Sequence, residues 1–422
     1  MKPSLLNIHH GNDIRKTLAL VLAGGRGERL KKLTNWRVKP AVPFGGKYRI
    51  IDFSLSNCLN SDIRKIGILT QYKSQSLIRH VMRGWELFHT ELDEFIECIP
   101  AQKKSGGDWY QGTANAIYQN IDLIHYHQPK YVLILSGDHV YKMDYGHLLS
   151  FHKSNDADLS IATTYVPLEE AYRYGILEID DKYRIQSFSE KPKTPDASLQ
   201  VPGKALASMG IYLFNTNFLL SYLNEDAEKT YSTHDFGKDI IPSLIEKKRV
   251  FAFPFYDFEQ NKPIYWQDVG TVDSYWKANM DLIGISPELN LYDVEWPIRT
   301  ASNNYPPAKF IFNEPNRQGK AVDSIVAEGC IISGANIEHS MLSSNVRVED
   351  HSYIKNSIIL PNVSIGKNCR IINTIVDKEC IIPDGTIIGE DLAEDERRFD
   401  LSSEGVILVE PEMLGQSIHQ IE

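Results

Sequence analysis

Apolar residues along this chain follow two rhythms, and the switch between them divides the sequence. In the first part, short apolar runs alternate with amphipathic stretches. Thr17–Leu22 (TLALVL) leads into Ala23-Gly24-Gly25-Arg26-Gly27 and a helical resumption at 30–33, and Lys65–Thr70 (KIGILT) into a helical pattern over 74–82. The run at 131–135 (YVLIL) leads into Ser136-Gly137-Asp138. Near-continuous apolar strands alternating with helices predict a mostly parallel sheet covered on both faces, hence an α/β domain. Further strands are expected at 159–164, 175–179 and 208–214.

The last hundred residues change to aliphatic positions six apart, in groups that repeat at about 17. Ile325, Leu342, Ile359 and Val376 form one column; Ile331, Val348, Ile365 and Ile381 a second; Ile337, Ile354, Ile371 and Ile387 a third. Three columns six residues apart describe a triangular coil with three aliphatic side chains per turn pointing inward. This region resembles the left-handed parallel β-helices of hexapeptide repeats, and the handedness comes from that resemblance. Between the two rhythms, 291–320 is rich in Pro and Gly and is read as a linker. The expected organisation is therefore an N-terminal extension at 1–16, an α/β domain at 17–290, the linker, and a solenoid with its C-terminal segment at 321–422.

A length of 422 residues exceeds one compact core, and 42% hydrophobic content excludes a disordered chain. The net charge of −10 argues against nucleic acid as a partner. The charge is uneven, however: from Arg26 to Arg83 thirteen Lys and Arg stand against three acids, a face expected to receive small polyanions. Five scattered cysteines without a CxxC pair fit reduced thiols in the cytoplasm. Residues 1–16 show no apolar core of 7–15 residues and no run of 18 apolar residues occurs in the sequence, so neither secretion nor a membrane partner is expected.

The loop Gly24-Gly25-Arg26-Gly27 follows neither the dinucleotide nor the P-loop pattern. Backbone N–H groups at the start of the expected helix, with Arg26 as a forked cation, would hold a triphosphate. Asp138, just past an apolar strand, and Asp268, in Trp266-Gln267-Asp268-Val269-Gly270-Thr271, each read in isolation as a turn or capping aspartate. Beside a triphosphate loop they make a hard-cation site, because Mg²⁺ prefers one or two carboxylates plus substrate phosphates. His139 raises a softer metal, which the lack of a second His at ligand spacing disfavours.

Those segments, with Lys39-Pro40-Ala41 and Glu190-Lys191-Pro192, resemble sugar-1-phosphate nucleotidyltransferases. More narrowly, residues 44–53, Trp109-Tyr110-Gln111-Gly112-Thr113-Ala114, Ser208-Met209-Gly210-Ile211-Tyr212 and His234-Asp235-Phe236-Gly237 resemble the bacterial ADP-glucose pyrophosphorylase family, the glucose-1-phosphate adenylyltransferases. The resemblance implies a Rossmann-like catalytic domain followed by a left-handed β-helix, with ATP and glucose 1-phosphate converted to ADP-glucose and pyrophosphate for glycogen synthesis. It implies that Gly24, Gly25, Arg26 and Gly27 embrace the ATP phosphates, with Gly112 and Thr113 beside the adenine. Asp138 and Asp268 would hold Mg²⁺, and Lys39 would be a second cation near the phosphates. Tyr110, Gly175, Glu190, Lys191 and Ser208 would contact the glucose-phosphate part.

The family is a homotetramer regulated by metabolite effectors, and Arg37 and Arg49 match its effector positions, although a solvated or structural role is an equal reading of both. Trp36 and Pro43 stand where enterobacterial members carry Lys and His, which puts activation by fructose 1,6-bisphosphate in doubt. The alternatives are a pyrophosphorylase using UTP or dTTP, a non-catalytic regulatory subunit, and an acyltransferase with His339 or His351 as base. Both histidines fall off the interior columns of the coil.

Overall fold

The strand β1 (Thr17–Leu22) is apolar throughout because it lies mid-sheet. It pairs in parallel with β2 (Lys65–Thr70), which is followed by β3 (Phe95–Pro100), and on its other side with β4 (Tyr131–Ser136). The computed structural model describes residues 13–25, 27–102, 109–194, 197–198 and 201–417. The short β5 (His139–Tyr141) leaves the sheet, which continues through β6 (Leu159–Pro167), β7 (Gly175–Ile179), β8 (Ile185–Glu190), β9 (Lys204–Asn215) and β10 (Val250–Pro254). The spatial order is β8-β7-β9-β4-β1-β2-β3, with β6 on β9 and β10 on β6. β9 runs antiparallel to β4, β6 and β7, so a parallel half meets a largely antiparallel one, with β10 parallel to β6. Finally β11 (Trp266–Asp268) pairs with β5, placing Asp268 opposite His139.

Two apolar clusters cover the two faces of this sheet. The helices include α1 (Ile51–Asn60), α2 (Gln75–Gly84), α3 (Thr113–Tyr118), α4 (Tyr145–Ser154), α5 (Thr216–Ala227) and α6 (Val272–Met280). The helix expected at 30–33 is different. Glu28–Thr34 is a 3₁₀ turn broken at Lys31, whose φ is 51° and ψ −129°. Thr34 Oγ1 donates to the carbonyls of both Gly27 and Lys31, closing the segment on itself instead of extending it as an α-helix.

The C-terminal region is the expected parallel coil, with three faces of stacked short strands. Its phase differs from the expectation at both ends. Ile332 aligns with Val348, then Ile365, then Ile382, and Val326 with Leu342, Ile359 and Val376. Ala321 aligns with Ile337, Ile354, Ile371 and Ile388. Ile325 and Ile331 are therefore one residue out of phase, as are Ile381 and Ile387, which are 61% and 47% exposed. A one-residue shift in a strand turns a side chain to the opposite face. His339 and His351 are exposed, as the columns imply. Within the stretch read as linker, Lys309–Ile311 and Lys320 of Lys320–Val322 already stack on the coil. Ile407–Val409 returns after the last turn to pair with Thr374–Val376.

The two regions share an apolar cluster to which Phe44, Tyr275, Met341, Ile358 and Leu408 belong. Polar pins border it: the Lys31 ammonium donates to the Leu401 carbonyl at 2.7 Å, Lys32 pairs with Glu410 at 3.0 Å, and Arg37 pairs with Asp377. All three cations come from the segment just after the glycine loop.

Candidate active site

β1 ends at Leu22, and the Ala23 N–H donates to the Leu69 carbonyl at 2.9 Å, so the glycine loop begins at the carboxyl ends of adjacent parallel strands. Open α/β sheets present ligand crevices at such strand ends. Gly27 has φ +66°, and a Cβ there would lie 3.0 Å from that of Lys39, so the turn needs glycine. The loop does not open an α-helix, which corrects the expected contribution of a helix dipole. Anion binding here has to come from loop N–H groups and side-chain cations. Arg26 lies outside the described residues.

Beneath the loop, the Lys39 ammonium is buried between two carboxylates, 2.9 Å from Asp138 Oδ2 and 2.6 Å from Asp268 Oδ1. Burial alone would lift the Asp138 and Asp268 pKa values, but Lys39 holds both below the usual carboxylate range. Burial opposes the charge on Lys39, and the two carboxylates outweigh it and raise its pKa. Both aspartates are thus ionised at neutral pH. Ligand atoms of Asp138, His139 and Asp268 lie within 4.8 Å of one another, a donor set dominated by hard carboxylate oxygens. The exposed Arg29 guanidinium stands 3.7 Å from Asp268 Oδ2 as a second cation at the rim, and the oxygens of Asp138 and Asp268 remain hard donors that suit a divalent cation.

A cavity of about 360 Å³ joins these elements, lined by Gly24, Gly25, Gly27, Lys39, Tyr110, Gly112, Thr113 and Asp138. Eight expected site residues, distant in sequence, therefore share one space. Asp268 joins through Lys39. Gly175, Glu190, Lys191 and Ser208 do not line that cavity. Glu190 pairs across the β7–β8 hairpin with Gly175, and its carboxylate lies 3.0 Å from the Lys191 ammonium. A Cβ on Gly175 would come within 2.9 Å of Glu190 Oε2, and one on Gly237 within 2.6 Å. Ser208 stands where β9 shifts register, its hydroxyl accepting from the Gly210 N–H at 3.2 Å.

Arg37 and Arg49 lie elsewhere, in a second cavity of about 240 Å³ between the two regions. Lys47, Arg79, Arg83 and Lys378 line it with them, as do Pro43 and His80. Arg37 Nη2 bonds Asp377, while its buried Nη1 has no hydrogen-bond partner. Arg49 donates to the Ser76 hydroxyl at 2.7 Å and carbonyl at 3.1 Å. Asp52 anchors this wall, accepting from His80 at 2.6 Å, Trp85 at 3.0 Å and the Arg49 N–H at 2.8 Å. The basic segment is thus divided: Lys39 serves the first cavity, Arg37, Lys47, Arg49, Arg79 and Arg83 the second, and Lys31 and Lys32 the solenoid contact.

Sequence reasoning assigned no role to Gln71, Gln111 or Asp235, which also line the first cavity, nor to Lys378 in the second. Asp235 lay within a quoted motif and Gln111 at an unconstrained position of another; Gln71 and Lys378 carried no spacing signal.

Residues 18–284 match the family model described as Nucleotidyl transferase, and residues 306–409 match that of the GlmU-like, C-terminal hexapeptide. The glucose-1-phosphate adenylyltransferase of Nitrosococcus oceani is 56% identical over 408 residues, covering 96% of each chain. That of Hydrogenovibrio crunogenus is 57% identical over 406 residues, again covering 96% of each. The protein of the same name from Nitrosomonas europaea is 54% identical over 412 residues, covering 96% of this chain and 95% of its own.

Proposed function

This chain belongs to the glucose-1-phosphate adenylyltransferase family, and we propose that its glycine-loop cavity is where ATP and glucose 1-phosphate exchange an adenylyl group. The reaction yields ADP-glucose and pyrophosphate, for glycogen. The observation that carries the site assignment is the Asp138–Lys39–Asp268 cluster, whose Lys39 and Asp138 line the same cavity as the glycine loop.

In this reading Gly24, Gly25, Arg26 and Gly27 take the ATP phosphates, and Gly112 and Thr113 flank the adenine. Tyr110, Gly175, Glu190, Lys191 and Ser208 take the glucose phosphate, Lys191 as a point charge and Glu190 as acceptor for sugar hydroxyls. A phosphate monoester has its second pKa near ~6, so the attacking oxygen is already ionised and the chain has no strong general base to supply. Positioning and charge neutralisation remain, and Lys39 offers a buried, permanently charged ammonium where negative charge gathers on the departing pyrophosphate. Nucleotidyltransferases of this kind use a divalent metal, which we take to be Mg²⁺ held by Asp138 and Asp268; when bound it supplies further neutralisation of the phosphates.

The interdomain cavity is proposed as a site for anionic metabolite effectors. Its support is the excess of cations and the unpartnered Nη1 of Arg37. Trp36 does not line it but Pro43 does, so its selectivity is expected to differ from the enterobacterial pattern. No described helix is long and apolar enough to cross a membrane. A cytoplasmic homotetramer is the proposed assembly, supported by exposed Ile381 and Ile387 on the coil.

Pyrophosphate release from glucose 1-phosphate, measured with ATP, UTP, dTTP and GTP in turn, tests the reading. ATP is expected to give the highest kcat/KM; a preference for UTP or dTTP would overturn the choice of nucleotide, and no release with any of them the catalytic reading.

A further inference from the structure

The two halves of the proposed active site come from distant segments, Gly112 and Thr113 before α3 and Glu190 at the end of β8, and one loop touches both. That loop is 232–238. The carbonyl of His234 accepts from the Ala114 N–H at 2.9 Å and the Asn115 N–H at 3.2 Å, so it caps the first turn of α3. A Cβ on Gly112 would lie 2.5 Å from the Thr233 carbonyl oxygen and closer still to that of His234, so the two backbones touch. The Thr113 hydroxyl donates to Asp235 Oδ2 at 3.0 Å and accepts from the Phe236 N–H at 3.0 Å. Gly237, next in this loop, packs against the Glu190 carboxylate, where a Cβ would lie 2.6 Å from Oε2.

The loop holds this course through a conformation that histidine seldom adopts. His234 has φ 54°, in the left-handed region, which persists only where surrounding contacts enforce it. The enforcing contact is partly buried. His234 Nδ1–H donates to Asp226 Oδ2 at 2.7 Å, near the end of α5, and Asp226 is 4% exposed. The Ser232 hydroxyl donates to the other oxygen of Asp226 at 2.7 Å and accepts from the His234 N–H at 3.0 Å. No step of the reaction uses Asp226 or His234, and neither lines the active-site cavity.

We propose that His234, anchored by Asp226, is a positioning residue that locks the nucleotide-side loop to the sugar-side carboxylate, so that both substrates are held in one frame. The inference rests on the site reading above. The anchor fixes the left-handed turn, the turn aims the carbonyl at α3, and the same loop sets Gly237 against Glu190. Loss of the anchor is felt by both substrates, although it contacts neither.

The test is steady-state kinetics of the full chain with ATP and glucose 1-phosphate for His234→Ala, His234→Asn and Asp226→Asn, with Tm measured on each. His234→Ala is expected to lower kcat/KM by ~30-fold or more for both substrates, with both KM values raised, the scale of a small misplacement of bound reactants. Asn tolerates the left-handed backbone and can donate to Asp226, so His234→Asn is expected to recover to within ~3-fold of wild type. A structural role alone would lower Tm and the active fraction while leaving both KM values in place. Wild-type KM values in His234→Ala, an effect on one substrate only, or no recovery in His234→Asn would overturn the proposal. Should His234→Ala not fold, Asp226→Asn decides by the same criterion, with both KM values expected to rise. An inactive wild-type chain would instead overturn the site reading.

Discussion

The two cavities both collect cations from the basic segment after the glycine loop, yet they treat them in opposite ways. In the active-site cavity one ammonium, Lys39, faces two ionised carboxylates, Asp138 and Asp268. In the interdomain cavity six cations line the wall, and Asp377 neutralises Arg37 through one of its nitrogens. The first is balanced within itself, by Lys39 inside and Arg29 at the rim, and offers carboxylate oxygens to a further cation; the second is positive and takes an anion directly. Local sequence charge does not distinguish them, because the deciding acids come from β4–β5, β11 and the coil.

Removing Asp377 breaks the comparison most severely. Asp377→Ala leaves the buried Arg37 guanidinium without its counter-charge, and breaking a buried pair in this way costs about 3–5 kcal/mol. Chemical denaturation should show that loss, and sulfate should restore more stability to the variant than to wild type by filling the cationic cavity. Equal effects of sulfate on the two would deny the cavity its anion-binding character. On the other side, Asp138→Asn removes one of the two charges set against Lys39 without changing shape. kcat should fall at least ~10²-fold with folding intact, the scale for losing a key electrostatic group; near-normal turnover in the purified variant would sink the metal assignment.

How far each region was legible follows from the same contrast. The coil announces itself because every turn must put aliphatic side chains into one narrow interior, so its period is written in the sequence. Its phase is ambiguous at Ile-Ile pairs such as Ile331-Ile332 and Ile381-Ile382, where either residue fits the spacing and strand alternation alone decides. In the α/β domain the strand-end residues Gly24, Gly27 and Asp138 were readable from strand–loop patterns. The broken 3₁₀ turn at Lys31 was not, since Thr34 redirects it through two side-chain bonds. Asp235 and Lys378 reach their cavities only through contacts between distant segments, and no spacing records that.

The gentlest way to sharpen the comparison is to change one charge by pH alone. Burial, reinforced by Arg37 and Arg49 and opposed by Glu379 and Asp377, pushes Lys378 down to about 8. Its amine is therefore charged at pH 7 and increasingly neutral as pH rises through that value, so the interdomain cavity loses positive charge while the ionised pair around Lys39 keeps its own. A bound anion favours the charged form, and linkage then requires anion affinity to fall above about pH 8, by up to ~tenfold per pH unit. Sulfate, which does not titrate in this range, is a suitable ligand for calorimetry between pH 7 and 9. Lys378→Arg keeps its charge throughout and should flatten the profile. A wild-type profile already as flat as that of Lys378→Arg would mean that Lys378 does not face the anion.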